Sequence, residues 1–367
     1  MHFQTDFPPG EFAARWSKVY GRIWPQAIAL VQGNGLEGGF AYPRQPNEFH
    51  YLTGVETPHS FLLLDGRTRK STLLLPPRNR RLEQSEGRVL SADDPQLATP
   101  QRQRGDFPRP LGRPSLPRTT IRQPRAKIED LTAILDELRS LKSPREIALI
   151  KRASQLAGYG ILEAMKATRP GLFEYHLDAA ARYVLLSGGA RLEAYRSVTA
   201  SGTSNIWNGH YFRNASQLKS GDLILMDFAP DYRYYTSDVT RMGPVSGKFS
   251  PVQKELLGFV LEYCDVVISR IRPGVSVDQL REEASIAMES VFARWKFSQP
   301  KYEKAARTMV ETGGGVFSHP VGLAVHDDGA YHRGAYNPAS RPASAWSVLK
   351  DKQHPPTHPA DSTRSRW

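Results

Sequence analysis

Cysteine is almost absent from this 367-residue sequence: Cys264 stands alone. A disulfide within the chain is therefore impossible, which suits a reducing cytoplasm. Apolar runs are short too. None approaches the roughly 20 residues that a membrane-spanning helix needs, so no membrane partner is expected. The opening stretch, Met1-His-Phe-Gln-Thr-Asp6, has no basic region followed by an apolar one, and no signal peptide is visible. The expectation is a cytoplasmic protein.

Periodicity is also missing from the two stretches that hold most of the charge. The formal net charge of +12 invites a nucleic-acid reading. Residues 101–127, however, hold seven arginines and Lys127 against Asp106 alone, and residues 333–367 hold six basic residues against Asp351 and Asp361. These segments supply nearly all of the excess; the remainder is close to neutral. Both are proline-rich and aperiodic, the composition of a disordered segment and not of a shaped basic groove, so no nucleic-acid partner is expected.

What is present is enough apolar material, 40% of residues, for two domains with separate cores. Residues 1–95 alternate helical and strand-like patterns: a short amphipathic helix over 11–20, then apolar strands at 27–31, 61–64 and 71–75. Residues 96–130 read as an Arg/Pro-rich linker or irregular insertion. A second domain runs over 131–332, and 333–367 reads as a disordered tail. Ser143-Pro-Arg-Glu146 is a helix start with a serine cap, proline at the first helical position and a glutamate closing a capping box. Arg169-Pro-Gly171 ends that helix and another opens over 174–186. A faint internal repeat is legible, because Arg272-Pro-Gly274 with Leu280 echoes Arg169-Pro-Gly171 with Leu177 at the same offset.

The most informative feature lies in this second domain. Asp227 and Asp238 stand eleven positions apart, directly after Leu223-Ile-Leu-Met226, an apolar run that reads as a buried strand. His210 lies upstream; His319 and His326 lie downstream. Carboxylates and imidazoles are the donor set for divalent cations such as Mn, Zn or Co, and a cation reached by both aspartates would activate a water near neutral pH. Each residue alone has a plainer explanation. An aspartate after a strand commonly forms a turn or caps a helix, His210 beside Asn208-Gly209 suits a loop, and His319 and His326 fit either one helix face or opposite edges of a bend. The joint occurrence is what favours a site.

In order and spacing, Ser201-Gly-Thr, Asn208-Gly-His210, Met226-Asp227-Phe, Ser237-Asp238-Val-Thr-Arg241 and His319-Pro-Val-Gly-Leu-Ala-Val-His326-Asp327 resemble the catalytic domain of Xaa-Pro aminopeptidases (aminopeptidase P) and proline dipeptidases, the pita-bread metallopeptidases. The resemblance runs from about Leu131 to Gly329. Arg44-Gln45, Phe49-His-Tyr-Leu-Thr-Gly54 and Leu73-Leu-Leu-Pro76 with Arg78 are similar to that family's creatinase-like N-terminal domain. The implied fold class is a two-domain α/β protein: a creatinase-like α/β domain, then an α+β pita-bread domain incomplete at its C-terminus. The implied cofactors are two divalent ions, most often Mn, with Asp227 chelating one, Asp238 bridging to the second and His319 as a further ligand. His210 and His326 would contact the substrate and the tetrahedral intermediate. The implied reaction is release of an N-terminal residue from peptides with proline second, by a hydroxide shared between the metals. The resemblance implies a homo-oligomer.

This sequence departs from the family pattern in one place. The family carries two further glutamate ligands, in a Glu-Pro-Gly turn and an Arg-x-Glu strand, and no glutamate follows Glu311 here. Two of five protein ligands, the proton shuttle and the closing strands of the sheet would be missing. Asp327 follows His326 as in the family and is expected to be structural. Two explanations compete: a reading-frame change near Gly334, which composition favours, or a degenerate site. For the sequence as written, poor or absent activity is expected. The alternatives are a non-catalytic peptide-binding protein of the same fold and a proline dipeptidase.

Overall fold

Proline-terminated helices and short apolar strands assemble into two units, Met1–Leu138 and Arg139–Trp367. The structure, a computed structural model, describes residues 4–35, 44–94, 128–312 and 319–327. The Arg/Pro-rich stretch over most of its length, and the tail from 333, lie outside the described residues.

In the first unit, α1 (Pro9–Tyr20) precedes β1 (Ile28–Gln32), α2 (Asn47–Thr53), β2 (Phe61–Asp65), β3 (Lys70–Leu74) and α3 (Arg80–Glu86). The strands form one antiparallel sheet in the order β1-β2-β3. Each of the three falls within a residue of its predicted position. Residues of the N-terminal motifs serve the core directly. Phe49, Leu52 and Val55 are wholly buried with Leu62 and Leu64, and the Gln45 amide accepts from the Asn34 N–H while donating to the Glu56 and Thr57 carbonyls.

After α4 (Thr132–Ser140) the second unit is led by α5 (Pro144–Ala167) and α6 (Glu174–Ser187). The predicted capping box is present: Ser143 Oγ accepts from the Glu146 N–H and Glu146 Oε2 accepts from the Ser143 N–H. The same device, Ser250 with Gln253 and Ser276 with Gln279, starts α7 (Pro251–Arg270) and α8 (Val277–Arg294); α9 (Pro300–Thr312) follows. Both Arg-Pro-Gly turns separate a helix from the next one, with Gly171 and Gly274 at φ of 91° and 81° and with Leu177 and Leu280 buried.

Between the two helix pairs lie β4 (Leu192–Glu193), β5 (Val198–Ser201), β6 (Leu223–Phe228), β7 (Pro230–Asp231) and β8 (Val239–Pro244). The main sheet is antiparallel in the order β5-β6-β8, and β4 pairs with β7. Strand β6 alternates. Ile224, Met226 and Phe228 are wholly buried against Ala157, Ile161, Leu177 and Ala181 from α5 and α6. Leu225 and Asp227 face the other side of the sheet. The run that reads as uniformly buried thus has two faces, and the aspartate belongs to the open one. A separate core joins Phe259, Tyr263, Met288, Val291 and Val310 of the last three helices. Among the described residues no helix is long and apolar enough to cross a membrane.

The segment 319–327, which carries both histidines, has no regular structure of its own. It is held by Asp327, which is 2% exposed and pairs with Arg139 at 2.7 Å and Lys142 at 2.8 Å. The same carboxylate accepts from the Ala324 N–H at 3.1 Å. Gly322 lies against this cluster so closely that a Cβ there would sit 2.1 Å from Asp327 Oδ2. Burial alone would raise the Asp327 pKa, but the charges of Lys142 and Arg139 outweigh it and hold the carboxyl below its ordinary value. A lowered folded-state pKa stabilises the fold above the unfolded value, about 3.9, and that contribution is lost as pH falls through the folded value. Replacing Asp327 by Asn leaves two buried cations without their counter-charge. It should lower unfolding stability at pH 7 by about 3 kcal/mol, with the gap to the wild type closing below about pH 4. Denaturant unfolding at both pH values measures this; a gap that does not depend on pH would contradict it.

Candidate active site

The register of the β6–β8 pair builds the site. Asp227 in β6 lies opposite Thr240 in β8, and Asp238 immediately precedes that strand. Side chains two apart on a strand share a face, and cross-strand diagonal neighbours lie within reach. Residues 227, 238 and 240 therefore meet on one face although eleven positions separate the aspartates in sequence. Val198 of β5 is the other neighbour of Asp227, and Tyr195, just before that strand, completes the group. Its hydroxyl donates a short hydrogen bond to Asp227 Oδ1 and lies 3.4 Å from Asp238 Oδ1.

His319 enters from the segment that Asp327 holds. The Thr236 N–H donates to the Gly322 carbonyl at 2.8 Å, which ties the approach to Asp238 to the histidine segment. His319 Nε2 then sits 2.9 Å from Asp238 Oδ2, and its Nδ1 sits 3.2 Å from the Pro320 carbonyl. Both ring nitrogens face acceptors, an arrangement that favours the doubly protonated ring. The His326 ring packs edge-on against His319, with centroids 4.2 Å apart at 76°. The bend, and not a helix face, brings the two rings together. His210 lies on the exposed loop between β5 and β6, within electrostatic range of His326.

The electrostatics follow from this crowding. Burial raises the Asp227 pKa; the Tyr195 hydrogen bond opposes that, and the neighbouring Asp238 charge adds to it. Burial would raise Asp238 as well, but the hydrogen bond and charge of His319 outweigh it and hold Asp238 below the ordinary value. His319 is raised by its hydrogen bond to Asp238. His326 is lowered by burial and then by the His319 charge. Tyr195 is driven far up by burial and by the two carboxylates, so its proton stays on the phenol. Tyr195, Asp227, Asp238 and His319 form one hydrogen-bonded chain.

All five residues singled out by sequence lie in the second unit. Asp227, Asp238, His319 and His326 adjoin directly, and His210 stands at the rim. Among the described residues no three His, Cys, Asp or Glu side chains converge as a ready-made metal cluster. The Tyr195 hydroxyl and the Asp238–His319 proton stand between the donors. Their identity still suits a cation: the His319 imidazole pairs with Asp238, and the Tyr195 hydroxyl reaches both carboxylates. Sequence reasoning missed Tyr195. Its signal was weak, a tyrosine in an aperiodic stretch thirty-two positions before Asp227.

Comparison with known proteins bears on the family and the fold. The model of metallopeptidase family M24 matches residues 148–351, and that of the aminopeptidase P N-terminal domain matches residues 12–98. The Xaa-Pro aminopeptidase of Haemophilus influenzae is 30% identical over 369 aligned positions, covering 90% of this chain and 83% of the relative. The Xaa-Pro aminopeptidase of Escherichia coli K12 is 34% identical over 214 residues, covering 56% of this chain and 47%, just under half, of the relative. Among solved structures, Escherichia coli aminopeptidase P with the inhibitor Pro-Leu superposes with a TM-score of 0.75 at 26% identity, covering 90% of this chain and 84% of that one. With an aminopeptidase P N-terminal domain ahead of a pita-bread domain whose family model spans more than half of its length, this chain belongs to metallopeptidase family M24.

Proposed function

We propose that this chain is of the Xaa-Pro aminopeptidase type, acting on peptides with proline as second residue and releasing the residue before it. The observation that carries this reading is the linked group Tyr195, Asp227, Asp238 and His319, with His326 packed on His319. Asp227, Asp238 and His319 would hold a divalent cation, manganese in this proposal. The Nδ1–H bond from His319 to the Pro320 carbonyl fixes the ring and leaves Nε2 as its donor. When bound, such a cation supplies an activated water and polarises the scissile carbonyl.

The remaining work falls to side chains of this chain. Burial and the His319 charge favour the neutral form of His326, which would donate one N–H to the oxygen on which charge develops. His210, across the rim, would orient the peptide and share that oxyanion. Tyr195 would keep Asp227 aimed at the cation. A proline in second position presents an imide with no N–H, so recognition there rests on shape and not on a donor from the substrate.

The 367-residue sequence has no glutamate beyond Glu311. In this proposal the three donors would hold one cation, with water completing its shell, and residues 312–367 offer no glutamate as a proton shuttle. The same shortage supports a second reading, a protein that keeps the peptide cleft without the chemistry. Calorimetry of the purified chain separates the two. The peptidase reading expects manganese binding that Asp238→Asn weakens by at least ~100-fold; peptide binding with no metal requirement would favour the second. Turnover of an Xaa-Pro tripeptide with added manganese should fall below ~0.1 per second, about 100-fold under an ordinary enzyme, because acid–base assistance is missing. A rate of ~10 per second would refute that impairment.

A further inference from the structure

The loop that carries His210 spans the stretch between β5 and β6, and most of its residues between 202 and 217 are partly or fully exposed. Such a loop would not hold an imidazole in place without an anchor. Two are present. Asn214, wholly buried, accepts from the Thr199 N–H at 3.1 Å and donates to the Ser197 carbonyl at 3.0 Å, stitching the return of the loop to the edge of β5. The other anchor is Glu174, the first residue of α6, whose exposure is 0%.

A buried carboxylate is costly unless it is paired or fully hydrogen-bonded. Among the described residues no lysine or arginine pairs with Glu174. Its charge is met by the His210 loop instead. Oε1 accepts from the Ser201 N–H at 2.6 Å, the Ser201 hydroxyl at 2.8 Å and the Asn205 amide at 3.2 Å. Oε2 accepts from the Tyr211 hydroxyl at 2.8 Å and the Ser216 N–H at 2.9 Å. One carboxylate therefore holds the entry, the middle and the exit of the loop. Tyr211 directly follows His210, and its N–H donates to the Asn208 carbonyl at 3.0 Å, closing the turn in which His210 sits. The backbone that carries the imidazole is fixed from both sides: by that turn at His210, and by the Glu174–Tyr211 bond on the next side chain.

We infer that Glu174, acting through Tyr211, is a positioning residue for His210. It sets the placement of that imidazole at the rim of the site without touching substrate or metal donors. The inference rests on the peptide-contacting role given to His210 above, and it makes a separate prediction. Disturbing this anchor moves His210 and weakens peptide binding while the Asp227, Asp238 and His319 donors keep their affinity for a cation. Tyr211→Phe is the sharper variant, because Ser216 still serves Oε2 and no buried acceptor is orphaned. Glu174→Gln keeps the side-chain volume but replaces one acceptor oxygen by a donor, so half of the network is lost.

The test uses the full chain with its histidine rings isotopically labelled, the His210 resonance being the one lost in His210→Asn. In the wild type that resonance should differ from that of a free histidine. In Tyr211→Phe and Glu174→Gln it should move to the free-histidine position. Affinity for an Ala-Pro-Ala tripeptide should fall about tenfold in both, and manganese affinity should change by less than about twofold, the difference between one lost charge-assisted bond and none. A His210 resonance and peptide affinity unchanged in both variants would overturn the inference. Equal loss of manganese and peptide affinity would also overturn it, since that marks general damage. A wild-type chain that takes neither manganese nor peptide defeats the proposed function, and the His210 resonance alone then decides the positioning claim.

Discussion

Antiparallel pairing of β6 with β8, in the register that sets Asp227 against Thr240, is the constraint on which the site depends. A slip of one residue would turn Asp227 into the core that Ile224, Met226 and Phe228 fill and turn those apolar side chains out. The packing of α5 and α6 against the buried face of β6 therefore fixes the open face as firmly as its own hydrogen bonds do. Placement of the two carboxylates is a by-product of hydrophobic burial on the opposite side of the same sheet.

Placing two acids together in a half-buried site has a cost, and the surroundings show how it is met. His319 pairs with Asp238 and has its pKa raised, the Tyr195 hydroxyl donates a hydrogen bond to Asp227, and Asp227 is left with a raised pKa. A site of this kind responds strongly to added positive charge, since a divalent ion would satisfy both carboxylates and release the protons now shared among them. The anchors lie one layer further out. Asp327 with Arg139 and Lys142 holds the histidine segment, and Glu174 holds the His210 loop. Each is a buried carboxylate that ties a segment with no regular structure to the helices: Asp327 reaches from the histidine segment to Arg139 of α4 and to Lys142, and Glu174 of α6 accepts from the His210 loop.

Local signals in the sequence carried much of this. Serine, proline and glutamate at 143–146 foretold the start of α5 because a capping box is a contact within one turn. The first-unit strands were legible because their apolar runs are bounded by turn residues. Site residues were legible as motifs, yet their contacts were not. Whether His319 and His326 shared a helix or a bend depended on Asp327 reaching Arg139, 188 positions away, and no periodicity encodes that. Glu174 looked like an ordinary acid in the first turn of a helix, where negative charge suits the dipole. Its complete burial and its five donors from residues 201–216 emerge only once the loop folds over it. Tyr195 escaped notice for the same reason, since its meaning lies in two carboxylates that approach it through sheet pairing.

The account turns on Asp227, Asp238 and His319 acting as donors to a single ion. Anomalous diffraction from crystals of the 367-residue chain grown with manganese addresses that claim most directly. The account predicts a manganese peak within bonding distance of both carboxylates and of His319 Nε2, with the Asp238–His319 contact opened to admit it. A peak at any other donor set, or an unbroken Asp238–His319 hydrogen bond at saturating manganese, would contradict it.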